Sequence, residues 1–395
     1  MKEIPSKTFC SMAWNHQMIE PRGNVRPCCR FLEEERPKEH NLHNMSIEDV
    51  FYSDWMKDLR QKMLKGEYVK GCIRCYQEEN AGKRSLRQRY HERSDLPLEK
   101  LVDIKNPEIK WIELAISNDC NLACRMCDSI YSSKWYAEEM SIYGKSHNYQ
   151  EKTHADMSSI FEISDRFVHL KFTGGEPLMI KDHWKLLNKM VSEGSAKNIF
   201  LNYSTNCTIP PKKKFIDIWD NFQKVEFALS FDTCNPAEAE YIRWPAKYSH
   251  YENTTKEFLK LAEKDNYFVI NRATISILNI WNFPETLLWW YNQDPTDKDL
   301  QTINPSHLRH PYFLSVTVLP KKLKEKISQK FNKFKNKHQD KINIVNSLNY
   351  MENYMWSNDD SKLIPQLEKY IKGTDKFRSQ NFFEYYPQFD NIFKE

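Results

Sequence analysis

The residues best able to do chemistry in this sequence sit together at Cys120-Asn121-Leu122-Ala123-Cys124-Arg125-Met126-Cys127, three thiols within eight residues. Thiolates at this spacing can wrap one small inorganic centre, because a short loop lets all three sulfurs converge. On a cubane iron–sulfur cluster of four irons they would leave one iron without a protein ligand, much as a catalytic zinc site keeps one position open. A zinc ion, or three ordinary buried thiols, are the alternatives. Zinc would want a fourth ligand, and the nearest downstream histidines, His147 and His154, lie beyond an expected helix.

A second group precedes it. Cys10, the adjacent pair Cys28-Cys29, and Cys72-x2-Cys75 supply enough thiolates to close a metal site completely. Zinc and a fully ligated iron–sulfur cluster fit that count equally well. Either member of the Cys28-Cys29 pair can be the ligand. Between these cysteines the sequence expects a hairpin turn at Gly23-Asn24 and a helix capped by Ser46. Val50, Phe51, Trp55, Leu59 and Met63 recur at helical spacing up to Gly66.

The chain that must position these thiols has 395 residues, enough for two or three domains. Its 58 basic and 54 acidic side chains give a net charge of +4, which selects no partner. The start, Met1-Lys2-Glu3-Ile4-Pro5, has no apolar signal core, and no apolar run approaches the ~18 residues needed to cross a bilayer. The expectation is therefore a cytoplasmic protein with reduced thiols and no membrane partner, in which clustered cysteines mean metal or redox chemistry. With only 9 glycines in the chain, each can mark a position where a Cβ would clash.

From about residue 109 to 320 strands and helices alternate. Strands are expected at Ile109–Ser117, Phe167–Phe172, Asn198–Ser204, Lys224–Phe231, Tyr267–Leu278 and Tyr312–Leu319. Helices are expected at Ser129–Tyr143, Ile180–Ser192, Pro211–Asn221, Tyr251–Ala262 and Pro284–Tyr291. Six such units argue for an α/β fold with a parallel sheet covered by helices. The cysteine loop directly follows the first strand. The second strand ends in Thr173-Gly174-Gly175-Glu176-Pro177.

Cys-x3-Cys-x2-Cys after a first strand, followed by Gly-Gly-Glu-Pro after the second, resembles the radical S-adenosylmethionine (SAM) superfamily. The resemblance implies a partial (βα)6 barrel whose working residues lie at the C-terminal ends of strands. It implies that Cys120, Cys124 and Cys127 hold a 4Fe–4S cluster whose open iron binds SAM, which is cleaved to a 5′-deoxyadenosyl radical that abstracts hydrogen. It further implies that Thr173, Gly174, Gly175 and Glu176 receive the SAM amino group, and that Ser204 and Asn206 lie near the ribose. Ser230 and Arg243 would hold the carboxylate, where Arg can fork onto both oxygens. Asn279 would mark the adenine edge. Two departures stand out: Met126 where the family often has an aromatic residue, and Cys207 where it often has glycine.

The N-terminal order of Cys, Gly-x-Val-x-Pro-Cys, a Trp-containing helix and Cys-x2-Cys resembles the SPASM/twitch domains of the same enzymes. That implies a second, auxiliary 4Fe–4S cluster on Cys10, Cys28, Cys72 and Cys75, here ahead of the barrel and not behind it. The expected organisation is a Cys-rich twitch-like domain and linker at 1–105, the barrel at 106–320 and a C-terminal helical cap at 321–395. In that cap Leu323, Ile327, Phe331 and Phe334 define one face of a lysine-rich helix.

The expected function is SAM cleavage and hydrogen abstraction from a peptide or small polar metabolite, with an electron donor such as flavodoxin or ferredoxin and no nucleic-acid partner. The rivals are radical modification of RNA, or a non-enzymatic iron–sulfur or zinc protein that binds RNA through the lysine-rich helix. No catalytic acid or base is named by the sequence.

Overall fold

Short strands buried on both faces are what a parallel sheet covered by helices requires. In the computed structural model, which describes residues 4–80, 84–91, 102–293, 303, 305–390 and 392–393, the chain divides into two units. One comprises Met1–Asn118, Lys152–Asn202 and Ile218–Lys224, the other Asp119–Glu151, Tyr203–Asp217 and Val225–Glu395.

In the first unit, strand β1 (His16–Ile19) turns at Gly23 (φ +83°) into β2 (Val25–Arg26), the expected hairpin. β1 also pairs in parallel with β3 (Trp111–Leu114), which pairs in parallel with β4 (His169–Phe172). This join of the Cys-rich segment to the first barrel strand is not foretold by the sequence. β5 (Phe200–Thr205) follows β4 in strand order. The registers place His16, Trp111 and His169 side by side, and Met18, Glu113 and Lys171 one layer further along.

The period of two then separates the faces. Phe172 turns to the helix Lys181–Ser192, its ring edge-on to His183 at 4.4 Å. The opposite face carries a stack of Tyr90, Trp111, His169 and Phe200 with ring centroids 4.1, 4.1 and 4.5 Å apart.

The helix expected between Ser46 and Gly66 is two helices, Ile47–Phe51 and Asp54–Leu64. Ser46 closes a capping box with Asp49, and Ser53 caps afresh by accepting from Met56 N. A second good cap thus interrupts an unbroken apolar stripe.

In the second unit β6 (Lys224–Leu229), all but its first residue, pairs in parallel with β7 (Tyr267–Asn271). The long fifth strand expected from sequence stops at Asn271, whose side chain accepts from Ala273 N at 2.8 Å, and resumes as the two-residue β8 (Thr274–Ile275). β8 pairs in parallel with β9 (Ser306–His307).

The sixth strand expected at Tyr312–Leu319 does not form. That stretch makes two 3-10 turns, Tyr312–Leu314 and Val316–Val318, whose Leu314, Val316 and Val318 are fully buried. Pro311 and Pro320 bound it, and the Ser315 hydroxyl takes the Thr317 N–H, so local bonds satisfy backbone that a ladder would otherwise claim.

The helices Lys321–Lys337, Ile342–Trp356 and Ile364–Arg378 complete this unit. Leu323, Ile327 and Phe331 are buried as the stripe requires. Three lysines of the basic face are held within the fold. Lys324 is buried and donates to Asn358 O, Lys330 pairs with Glu285 at 3.0 Å, and Lys335 pairs with Glu352 at 2.8 Å. Among the described residues no helix is long and apolar enough to cross a membrane.

Candidate metal centres and cofactor site

The loop Cys120–Cys127 is fixed from several sides within the second unit. Ala123 N donates to Trp244 O and Arg125 N to Ile242 O, each at 2.8 Å. Trp135 Nε1 donates to Cys124 O at 2.8 Å, and Ser132 Oγ to Leu122 O at 2.5 Å.

Two buried ion pairs then tie the loop region to the helix Ile364–Arg378. Arg125 meets Asp375 at 2.6 Å, also donates to Thr374, and lies over the Tyr241 ring at 3.6 Å. Arg378 meets Glu138 at 2.9 Å with both side chains fully buried, and reaches Ala123 O at 2.7 Å. None of these four charged partners was singled out for a role from the sequence. Arg125 could have been questioned, since it lies between two of the three cysteines. Its partner is too distant in the chain for any local pattern to reveal.

Burial pushes Cys127 well up, and the neighbouring charges of Asp128, Cys124 and Cys120 push it further. Burial likewise raises Cys124, against the pull of Arg243. Thiolates that disfavour one another in a dry place suit a cation that deprotonates them outright. Among the described residues, no group of three or more His, Cys, Asp or Glu side chains forms a ready-made site for a single metal ion.

The strand ends place several expected residues beside this loop. Asn206 donates to Asn121 Oδ1 at 2.9 Å and reaches Cys120 Sγ at 3.7 Å, while its Oδ1 accepts from Thr208 N and Oγ1. Asn121, in turn, donates to Thr208 Oγ1 at 2.8 Å. Cys207, in the expected glycine position, has φ +61° and is fully buried, so the backbone there keeps a glycine-like conformation. Ser204 is half-buried on β5, and Ser230, also half-buried, accepts at its carbonyl from Tyr251 Oη at 2.6 Å.

Arg243 is more tightly committed than expected. Its Nε and Nη2 both donate to Asp232 Oδ2, at 2.8 and 2.6 Å, and Nη1 points to Cys124 Sγ at 3.6 Å. Burial opposes the guanidinium's charge, but Asp232 outweighs it and holds the Arg243 pKa well above its ordinary value. Asn279 spends its amide inside the fold, donating to Asp232 O and Thr274 O and accepting from Ser276 N. Asp232 is therefore the central residue of this edge.

In the first unit the Gly-Gly-Glu turn follows β4. Thr173 N donates to Leu114 O and Gly175 N to Ser117 O. Gly174 has φ +104°, and a Cβ there would sit 2.7 Å from that of Ala115, so both conformation and packing demand glycine. Glu176 is buried and accepts from Leu178 N at 3.3 Å, which caps the following turn.

The same unit holds Cys28 and Cys29, with different sets of charged neighbours. Burial raises Cys28, and the charges of Cys29, Cys10, Cys72 and Cys75 raise it further. Burial pushes Cys29 up to about 11, with Glu113, Lys171, Arg30 and Arg26 as its charged neighbours. Of these, Glu113 pairs with Lys171 at 2.7 Å. Burial pushes Cys10 up to about 12, with a further rise from Cys75 and a pull downward from Arg87. Four thiols whose charges oppose one another, Cys10 and Cys75 buried and Cys28 and Cys72 half-buried, fit a cationic centre.

Beside the Cys127 loop lies a dyad not foreseen from sequence. His147 Nδ1 is 3.3 Å from Glu139, whose carboxylate also accepts from Ser129 N, Ser129 Oγ and His147 N. Burial would raise Glu139, but bonds from His147 and Ser129 hold it down to about 2.

Comparison with known proteins gives two family matches. A model of the radical SAM superfamily matches residues 114–289, and one of an iron–sulfur cluster-binding domain, SPASM, matches residues 10–76. The radical SAM cyclopropyl synthase TigE of Paramaledivibacter caminithermalis is 29% identical over 182 residues, covering 42% of this chain and 35% of that protein. The chain thus matches about a third of the length of that curated relative.

Among solved structures, the radical SAM methyltransferase TsrM of Kitasatospora setae, with tryptophan and a SAM analogue bound, matches at 11% identity and TM-score 0.37. It covers 50% of this chain and 35% of that one. SuiB of Streptococcus suis bound to the precursor peptide SuiA matches at 12% identity and TM-score 0.35, covering 74% and 60%.

Proposed function

We propose that this chain, whose residues 114–289 match the radical SAM superfamily and whose residues 10–76 match the SPASM iron–sulfur domain, is a radical SAM enzyme that abstracts hydrogen from a peptide or small polar metabolite. When bound, the cluster and SAM supply an electron and a 5′-deoxyadenosyl radical. Everything else falls to this chain's residues.

In this reading Cys120, Cys124 and Cys127 are the ligands of the SAM cluster. The observation that carries it is the Cys-x3-Cys-x2-Cys loop itself, which lies in the segment matched by the radical SAM model and whose backbone is fixed by Trp135, Trp244 and Arg378. The Gly-Gly-Glu turn, with Thr173, receives the SAM ammonium, for which the buried Glu176 carboxylate is a charge-matched acceptor. Asn206, beside Cys120, and Ser204 face the ribose. Ser230 and the Nη1 edge of Arg243 take the carboxylate, and Asn279 keeps the adenine edge in place through Asp232. Cys10, Cys28, Cys72 and Cys75 hold the auxiliary cluster, and Cys29 does not.

An electron donor of the flavodoxin or ferredoxin type completes the reading. The RNA reading is weaker, because Lys324, Lys330 and Lys335 of the basic helix are spent on intramolecular partners.

The test is direct. Anaerobically reconstituted, reduced protein should convert SAM to 5′-deoxyadenosine, and Cys124→Ala should abolish this. Equal cleavage by that variant, or none by the wild type with full iron content, would overturn the reading.

A further inference from the structure

We propose that Arg243 sets the reduction potential of the cluster on the Cys120–Cys127 loop, by holding an N–H···S bond on the sulfur of Cys124. This rests on the reading that Cys124 is a cluster ligand, and it adds a role distinct from SAM carboxylate binding.

The geometry leaves the guanidinium little freedom. Nε and Nη2 close on Asp232 Oδ2, which fixes the plane of the group, and Nη1 then falls 3.6 Å from Cys124 Sγ. Asp232 is itself anchored. Its Oδ1 accepts from Thr274 N at 2.8 Å, its N donates to Tyr251 Oη at 2.9 Å, and its carbonyl accepts from Asn279 Nδ2 at 3.1 Å. A free arginine could swing to another acceptor, but this one is held on the sulfur from both of its adjoining strand ends.

The direction follows from charge. A cluster gains negative charge on reduction, and donors to its sulfurs are among the groups that set its potential. A cationic donor on a ligand sulfur stabilises the reduced form more than the oxidised one. Arg243 and Asp232 are both buried, so water does little to damp the effect. Asp232 offsets the net charge of the pair, but it bonds the far edge of the guanidinium and leaves the N–H next to the sulfur.

The experiment is a potentiometric titration without SAM, followed by electron paramagnetic resonance, on a variant retaining only this cluster (Cys10, Cys28, Cys72 and Cys75 all replaced by Ala). Within that background, R243Q/D232N removes both charges together and avoids stranding a buried carboxylate. The expected result is a midpoint shifted to more negative potential at unchanged iron content. R243K, which keeps the charge but loses the fork, should shift in the same direction by less, and serves if the double variant does not fold.

A wild-type midpoint in either variant would overturn the tuning role. A purely carboxylate-binding arginine would leave the midpoint unchanged and weaken only SAM affinity. If the parent itself shows no reduced signal that SAM perturbs, the cluster assignment fails, and the inference falls with it for that separate reason.

Discussion

Arg125 Nη2 lies 2.6 Å from Asp375 Oδ1, an ion pair between residues 250 positions apart that joins the cysteine loop to the helix Ile364–Arg378. Arg125 is fully buried, and Asp375 also accepts from Tyr241 Oη and Phe382 N. Removing one partner of such a pair strands the other's charge.

Asp375→Asn should therefore destabilise the protein by about 3–5 kcal/mol. It should also lose iron from the Cys120–Cys127 site before the N-terminal site. A thermal melt with iron counts on the two single-site backgrounds checks this. A wild-type melt with both sites fully loaded would remove the clamp from the account.

Glu176→Gln keeps an oxygen to accept from Leu178 N but removes the charge. SAM affinity should fall by roughly 1.5–3 kcal/mol, with iron content unchanged. Equilibrium binding measures the difference, and equal affinity refutes the ammonium role.

Cys28 and Cys29 should behave oppositely. In protein lacking Cys120, Cys124 and Cys127, Cys28→Ala should lose most of the remaining metal, whereas Cys29→Ala should keep about four irons. A colourless protein with about one tightly held zinc would replace the auxiliary cluster by a structural knuckle.

Cys207 holds φ +61° without being glycine, a conformation that costs an L-residue roughly 1–2 kcal/mol. Cys207→Gly trades that strain against chain entropy and a small buried thiol, and should lie within about 1 kcal/mol of wild type. Cys207→Val, β-branched at the same φ, should lose more than that. Denaturant midpoints decide, and the opposite ranking would count against a glycine-like turn.

Glu139 and His147 predict a pH dependence. The hydrogen bond it donates to Glu139 raises His147 above its ordinary 6.5, helped by the charges of Glu139 and Asp128 and opposed by burial and Lys145. The stability this contributes is present below pH 6.5 and is lost as pH rises through the raised value. Glu139, held to about 2 against an ordinary 4.5, contributes stability present above 4.5 and lost as pH falls toward 2. In Glu139→Gln the His147 resonances should titrate lower than in wild type by nuclear magnetic resonance. An unmoved titration would mean that the dyad is not paired in solution.

What sequence could and could not reveal follows from distance along the chain. The capping serines, the alternating strands and helices, and the cysteine spacings are local, and they were legible. Tyr312–Leu319 looked like a strand because it is apolar and β-branched. Its backbone is satisfied by Ser315 and bounded by prolines, and its side chains enter a helical core. Which of Cys28 and Cys29 is a ligand depends on how two neighbours turn relative to Cys10 and Cys75, and spacing carries no sign for that. Arg125–Asp375 and Arg378–Glu138 were out of reach because no pattern of short period spans some 240 to 250 residues.

The same clamp imposes an order in time. The cysteine loop leaves the ribosome long before its partner helix is made. At about 5–20 residues per second, 250 residues take roughly 12–50 s to synthesise. During that interval Arg125 has neither Asp375 nor Thr374, and Ala123 O has no guanidinium from Arg378. The loop that carries the three thiols is thus unclamped while the chain is still growing, and it gains these ties only when Ile364–Arg378 arrives.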